Sequence, residues 1–218
     1  MQLRRAQVGD EQAVAEVHVR SWQVGYRGLI ADDYLDGLHP EDRAGRYTFG
    51  VDDPLTIVAV TDRIRGFVSV SPSAGELGAL YVDPQAWGTG LGRALIVEAE
   101  RRLAERHAVA GLWVLAGNVR ARRFYEAGGW RTDGTERAER VFGVPVVEAR
   151  YRKTLARSSH RSAPHPGRDR QDVRFAPILV AAAPVRSAAA TAGPARSRPG
   201  RGRGAGPARR CAAAAGRA

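Results

Sequence analysis

Cysteine is almost missing from this chain: Cys211 stands alone near the end of 218 residues. One thiol closes no internal disulfide, which excludes a disulfide-stapled scaffold. Its remote place also argues against an acyl-cysteine intermediate. His18, His39, His107, His160 and His165 show no metal-ligand spacing and no cysteine joins them, so no metal is expected. No run of about 18 apolar residues is present to span a membrane. The opening MQLRRAQVGDE lacks the apolar stretch of a signal peptide. A cytoplasmic location with no membrane partner is therefore the expectation. Lysine is scarce as well, Lys153 against 33 arginines, which fits a GC-rich coding bias.

What is present divides in two. Residues 156–218 hold 13 arginines and two aspartates, a net of +11, which is the whole formal charge of the chain. Residues 1–155 balance 21 basic against 21 acidic side chains and are read as one folded domain. After Leu155, Arg, Ala, Pro, Gly and Ser dominate, and Phe175 is the only aromatic residue. Such a composition cannot bury enough apolar surface to offset its ordering entropy. Residues 156–218 are thus expected to form a disordered tail, with fleeting order at most over Phe175–Val180. Two readings of the tail stay open: electrostatic docking on nucleic acid through Arg-Gly and Arg-Arg pairs, or a non-adaptive extension.

Along the domain, Gln2 to Gln7 alternates as a first strand. Asp10 is placed to cap a helix carrying Ala13, Val14, Val17 and Trp22 at helical spacing. Trp22, Tyr26, Leu29, Ile30, Tyr34 and Leu35 continue an apolar and aromatic segment, and His39-Pro40 opens a short helix to about Phe49. Leu55–Thr61 and Ile64–Ser71 read as a hairpin turned at Asp62-Arg63. The organising stretch follows, GELGALYVDPQAWGTGLGRAL over residues 75–95. Glu76–Val82 is rich in strand formers, and Asp83-Pro84 stops it. Gly88, Gly90 and Gly92 then alternate into a helix over Gly92–Arg106, with Ala94, Leu95, Val97, Ala99 and Leu103 inward. Glycines let a backbone approach a ligand closely, and a helix start adds partial positive charge, so together they form an anion cradle.

Three phosphate-binding readings compete for that cradle. A Walker loop needs a lysine after its glycines, and none follows. A dinucleotide fingerprint needs GxGxxG after a first strand, whereas here the spacing is GxGxG and the strand is not the first. In the third reading, Leu80-Tyr81-Val82-Asp83-Pro84 followed by Trp87-Gly88-Thr89-Gly90-Leu91-Gly92 resembles the acyl-coenzyme A loop of the GNAT N-acetyltransferase superfamily. Trp87 departs from it, standing where the family most often has Arg or Gln. A second block, AGNVRARRFYEAGGW, resembles the same family through Asn118, Ala121, Phe124, Tyr125, Glu126, Gly129 and Trp130. The resemblance spans about residues 2–154. It implies an α/β fold: a mixed, mostly antiparallel central sheet of about seven strands, flanked by about four helices and splayed between its fourth and fifth strands. A last strand over Val144–Lys153 would pair with Trp130–Thr135 across a turn region at Glu136–Gly143.

The resemblance also implies chemistry. The cosubstrate would be acetyl-CoA, its pyrophosphate on the amides of residues 88 to 93 and its pantetheine beside the backbone of Leu80, Tyr81 and Val82. Trp87, Gly88, Thr89, Gly90, Leu91 and Gly92 would form the loop. Asn118 would cap a helix and reach the pantetheine arm. Arg93 and Arg122 would pair with phosphates, or else remain solvated. Tyr125 would protonate the leaving thiolate, or be an ordinary half-buried tyrosine. Glu76, early on the fourth strand, would take the amine's proton directly or through water, or be a strand-edge carboxylate. Trp22, Tyr26 and Tyr34 would wall the acceptor pocket, or only fill the core. The expected activity is direct acetyl transfer to a primary amine of a small molecule or peptide. The competing class is a regulatory protein that binds acyl-CoA and docks on nucleic acid by its tail. A homodimer is left open.

Overall fold

The computed structural model describes residues 1–141 and 143–156. The expected tail, with Cys211, His160, His165 and Phe175–Val180, lies outside the described residues apart from Ala156. The strands are β1 (Gln2–Arg5), β2 (Leu55–Val60), β3 (Ile64–Ser71), β4 (Glu76–Val82), β5 (Val109–Leu115), β6 (Arg131–Val141) and β7 (Val144–Thr154). They form one seven-stranded sheet in the order β1-β2-β3-β4-β5-β7-β6. All neighbours run antiparallel except β4 and β5. The helices are α1 (Glu11–Gly25), α2 (Asp32–Asp36), α3 (Pro40–Ala44), α4 (Leu91–Ala104) and α5 (Val119–Ala127). No helix among the described residues is long and apolar enough to cross a membrane.

The sheet is covered on both faces. β2 and β3 are buried almost throughout because they sit under helices on either side. On one face Leu91, Leu95, Ile96, Ala99 and Leu103 of α4 pack with Ile57, Val68, Val70, Leu112 and Tyr151 of the sheet. On the other, Val14 and Val17 of α1 meet Val58 and Phe67, while Trp22 packs with Leu35, Leu38 and Leu115. Each fully buried Leu or Ile contributes roughly 2 to 3 kcal/mol. Gly66 on β3 shows how closely α4 lies: a Cβ there would stand 2.6 Å from Leu91 Cδ2 and 3.0 Å from Leu95 Cδ1.

The described residues hold five α-helices, in keeping with the expected number of about four, and Gly37, His39-Pro40 and Gly45 divide the segment after α1 into two short ones. Several local expectations are corrected. The helix expected to reach Phe49 stops at Ala44, which frees Tyr47 and Phe49 to stack against each other at 5.6 Å. Asp10 precedes α1 but caps it with no side-chain bond. Its carboxylate instead accepts from Arg4 at 2.6 and 2.9 Å and from the Gln7 amide at 2.9 Å. Val97 is 55% exposed, since Leu95, Ile96, Ala99 and Leu103 define the inward stripe and Val97 falls on the far side. The region over Glu136–Gly143 is mostly strand: its residues pair with β7 as far as Val141–Val144, and Gly143 turns at φ 86°.

Candidate active site

β4 and β5 pair only at Glu76–Gly111 and Leu77–Leu112, then part. Leu77 faces Val70 and Ala79 faces Ser69, so Gly78 bulges between them and β4 turns away from its parallel neighbour. The gap opens into a cavity of about 390 Å³. Its walls come from α1, β4, the glycine loop, β5, α5 and β7.

The loop side is built mainly of backbone. Gly88 and Gly90 turn at φ 80° and 88°, a region L side chains rarely occupy, with nothing within 4 Å of either would-be Cβ. These glycines are therefore required by conformation rather than by space. Gly90 stands at the start of α4, and no side chain caps that start. The first amides of a 14-residue helix are thus left to whatever enters the cavity. Gly88, Gly90, Gly92 and the exposed Arg93 line it. Thr89 and Leu91 do not: the Thr89 hydroxyl donates to Ala86 O at 2.8 Å, and Leu91 is core. Trp87 is a wall rather than a polar contact. Its indole N–H donates to Val82 O at 2.8 Å, and Ser21 donates to the same carbonyl at 2.9 Å. That carbonyl is already satisfied, leaving the Leu80 and Tyr81 segment as the open part of the strand wall. The Arg120 guanidinium lies 3.5 Å over the Trp87 ring and also lines the cavity.

Asn118 caps α5 as expected, its side chain accepting from the Ala121 amide at 3.0 Å, and it reaches the cavity. Tyr125, one residue beyond Phe124 on α5, lines the cavity at 7% exposure. Burial, and then the neighbouring Tyr81, push its phenol above the ordinary tyrosine range. Arg122 is not brought to the cavity. Its Nε donates to the Tyr151 hydroxyl and its Nη1 to Ala116 O, each at 3.0 Å, so it ties α5 to the sheet.

On the opposite side Trp22 and Tyr26 line the cavity and meet edge-to-face at 4.9 Å. Tyr34 does not line it, and its hydroxyl accepts from Arg43 at 3.0 Å. Glu76 stands at the closed end of the splay and is not among the lining residues. Burial raises its proton affinity, and Arg137 and Arg150 pull the other way. Sequence reasoning missed Ser21, Trp113, Arg120 and above all Glu148. Glu148 was legible only as a lone acid between the apolar Val147 and Ala149 of a strand. No group of three or more metal-binding side chains occurs among the described residues.

The model of the acetyltransferase (GNAT) family matches residues 14–130, more than half of the chain. The chain belongs to the GNAT acetyltransferase family. This acetyltransferase is 31% identical over 135 residues to an uncharacterised N-acetyltransferase of Archaeoglobus fulgidus, covering 57% of this chain and 89% of that one. It is 32% identical over 130 residues to the uncharacterised N-acetyltransferase YuaI of Bacillus subtilis, covering 53% and 72%. Its fold is shared with the PaiA N-acetyltransferase of Thermoplasma acidophilum, solved in complex with coenzyme A. That match has a TM-score of 0.56 and 22% identity over 71% of this chain and 98% of the other. The matched residues include the loop, Asn118 and Tyr125 and stop at Trp130, just before β6, so the acetyltransferase's β6–β7 hairpin with Glu148 lies beyond them.

Proposed function

We propose that this acetyltransferase moves the acetyl group of acetyl-CoA to a primary amine of a small molecule or peptide, by direct attack. The observation that carries the reading is the position of Tyr125. Its buried phenol sits in one cavity with an uncapped glycine cradle and with the aromatic pair Trp22 and Tyr26.

The residues present fit the cosubstrate. The amides after Gly88, Gly90 and Gly92, with Arg93 beside them, suit a pyrophosphate. The backbone wall at Leu80 and Tyr81, with Asn118, suits a peptide-like arm. Acetyl-CoA supplies a thioester whose carbonyl accepts an amine. Tyr125, whose burial keeps it protonated, supplies a proton to the departing thiolate. Trp22 and Tyr26 exclude water and orient the acceptor. Glu76 stands outside the wall, so it could reach the amine only through intervening water. The tail is not needed for any of these steps, and residues 1–155 are proposed to be the catalytic domain.

Calorimetric titration of acetyl-CoA into the full chain tests the cradle, and the same titration into residues 1–155 tests the tail. Micromolar-range binding to both is expected; no binding to the full chain would remove the reading. With a responsive amine in hand, Tyr125→Phe should slow turnover by roughly 100-fold or more while leaving acetyl-CoA affinity intact. Unchanged turnover would take the acid role away from Tyr125.

A further inference from the structure

Glu148 is a carboxylate that the steps above do not use. It lies on β7, opposite Leu115 of β5 on one side and Arg137 of β6 on the other. Leu115 is three residues past Leu112, the last residue of β5 still paired to β4, so Glu148 stands roughly 10 Å into the splay. Directly paired residues of antiparallel strands share a face. Leu115 faces the α1 side of the sheet with Trp22, and Glu148 therefore does too. Glu148 is 3% exposed and lines the cavity.

Its two oxygens are unequal. Oε2 accepts from Arg137 Nε at 2.9 Å and from Arg137 Nη2 at 2.8 Å. Oε1 accepts no hydrogen bond among the described residues. Arg137 is itself held, its guanidinium 4.0 Å over the Trp113 ring. Oε1 is not among the enclosed unsatisfied atoms, so it opens on the cavity, where water or a ligand donor can satisfy it. Trp22, Tyr26 and Trp113 line the same cavity; Arg137 lies over Trp113 and Arg43 is 5.8 Å from the Trp22 ring, so these aromatic surfaces already attract cations. Tyr26 links Glu148 to the acid end of the site. Its phenol is held far above the ordinary range by burial first, then by Tyr81, Tyr125 and Glu148 as neighbours.

We propose that Glu148 Oε1 binds the acceptor as a primary ammonium on an apolar or aromatic stem and takes its proton, in place of Glu76. This rests on the acetyl-transfer reading of the same cavity. The carboxylate accepts one of the three ammonium protons. The freed lone pair forms the C–N bond to the thioester carbonyl, and the C–S bond breaks. A second nitrogen proton replaces the one that Tyr125 gives the thiolate. The products are an amide and a thiol, and Glu148 returns its proton to water. Glu76 stands about 13 Å away along the strand direction, four residues back on β5 at Gly111, and outside the cavity wall.

The test is a titration of the full chain, saturated with coenzyme A, with phenethylamine and with phenethyl alcohol. Wild type should bind the amine roughly tenfold or more tighter than the alcohol, a charge-assisted hydrogen bond being the difference. Glu148→Gln should erase that preference, and Glu76→Gln should retain it. Equal binding of amine and alcohol by wild type, or a preference that survives in Glu148→Gln, overturns the role of Glu148. Should Glu148→Gln fail to fold, the wild-type comparison still decides whether an ammonium site exists. Failure to bind coenzyme A at all would instead bring down the transferase reading, and this inference with it.

Discussion

The two sides of the cavity are made from different material. The loop side is nearly all backbone from one continuous stretch, β4 through the first turn of α4, with Asn118 and Tyr125 from the next helix. The opposite side is all side chains, from α1, β5 and β7, brought together only because those elements meet across the sheet. A backbone cradle depends on a few glycines and one helix start, and it tolerates change in most side chains. A side-chain wall depends on burial and on partners far away in the chain, so its energetics are those of the core. Perturbations should therefore fall on folding on the aromatic side and on ligand affinity on the loop side.

The largest effect is expected at His18, beneath the aromatic side. His18 stacks on Tyr81 at 4.7 Å with 14° between the rings, and its Nδ1 lies 2.6 Å from the Tyr47 hydroxyl. Burial, with Arg43 and Arg46 adding to it, lowers its pKa from 6.5 to about 3. In the fold it is neutral, while in the unfolded chain it titrates near 6.5. Between those values the unfolded state holds a proton that the native state refuses, so stability falls as pH drops below 6.5. From pH 7 to pH 4 this one group should remove about 3 kcal/mol. Denaturant melts of wild type and His18→Phe across that range should diverge in slope, with the variant flatter. Parallel slopes would mean that His18 is not held neutral, and the contrast between the two sides would weaken.

A smaller effect, on the loop side, is expected from Gly66→Ala. The added methyl group would sit 2.6 Å from Leu91 Cδ2 and 3.0 Å from Tyr81 O, under the first turn of α4. Overpacking of this kind costs about 1 to 3 kcal/mol. Because the strain falls where α4 begins, acetyl-CoA affinity should weaken along with the melting temperature. A variant that melts lower but binds acetyl-CoA as wild type does would show that the cradle is independent of this packing.

The smallest is Asn118→Ala. Loss of a side-chain cap costs about 1 kcal/mol, and Asn118→Asp, which keeps an acceptor for the Ala121 amide, should recover most of it. Thermal melts of the two variants check this. If both fall equally, the bond from the Ala121 amide is not what stabilises α5.

The loop side was legible in the sequence because its determinants are local. Gly88 and Gly90 are needed for backbone angles that no other residue adopts easily, Pro84 follows the end of β4 and opens a short 3-10 turn, and Asn118 caps the helix that follows it. Trp87 departs from the family pattern, and its indole N–H donates to Val82 O while Arg120 lies over its ring, contacts that no spacing rule encodes. Arg122, by contrast, fitted the pattern of a phosphate ligand and is instead bound to Tyr151 and Ala116. Arginines in one helix turn look alike in sequence, and only the neighbouring strand decides which one is occupied.

The glycine cradle and most of the order of strands and helices were written in residue type and spacing, since each follows from backbone geometry within a few residues. The place of Tyr125 after Phe124 was legible only through the resemblance of AGNVRARRFYEAGGW to the family. The splay that makes the cavity, the exclusion of Glu76 and Tyr34 from its wall, and the arrival of Glu148 with one oxygen free were decided by the tertiary structure. Register between β5, β7 and β6 sets those positions, and register depends on which faces are buried, a property of the assembled sheet rather than of any segment within it.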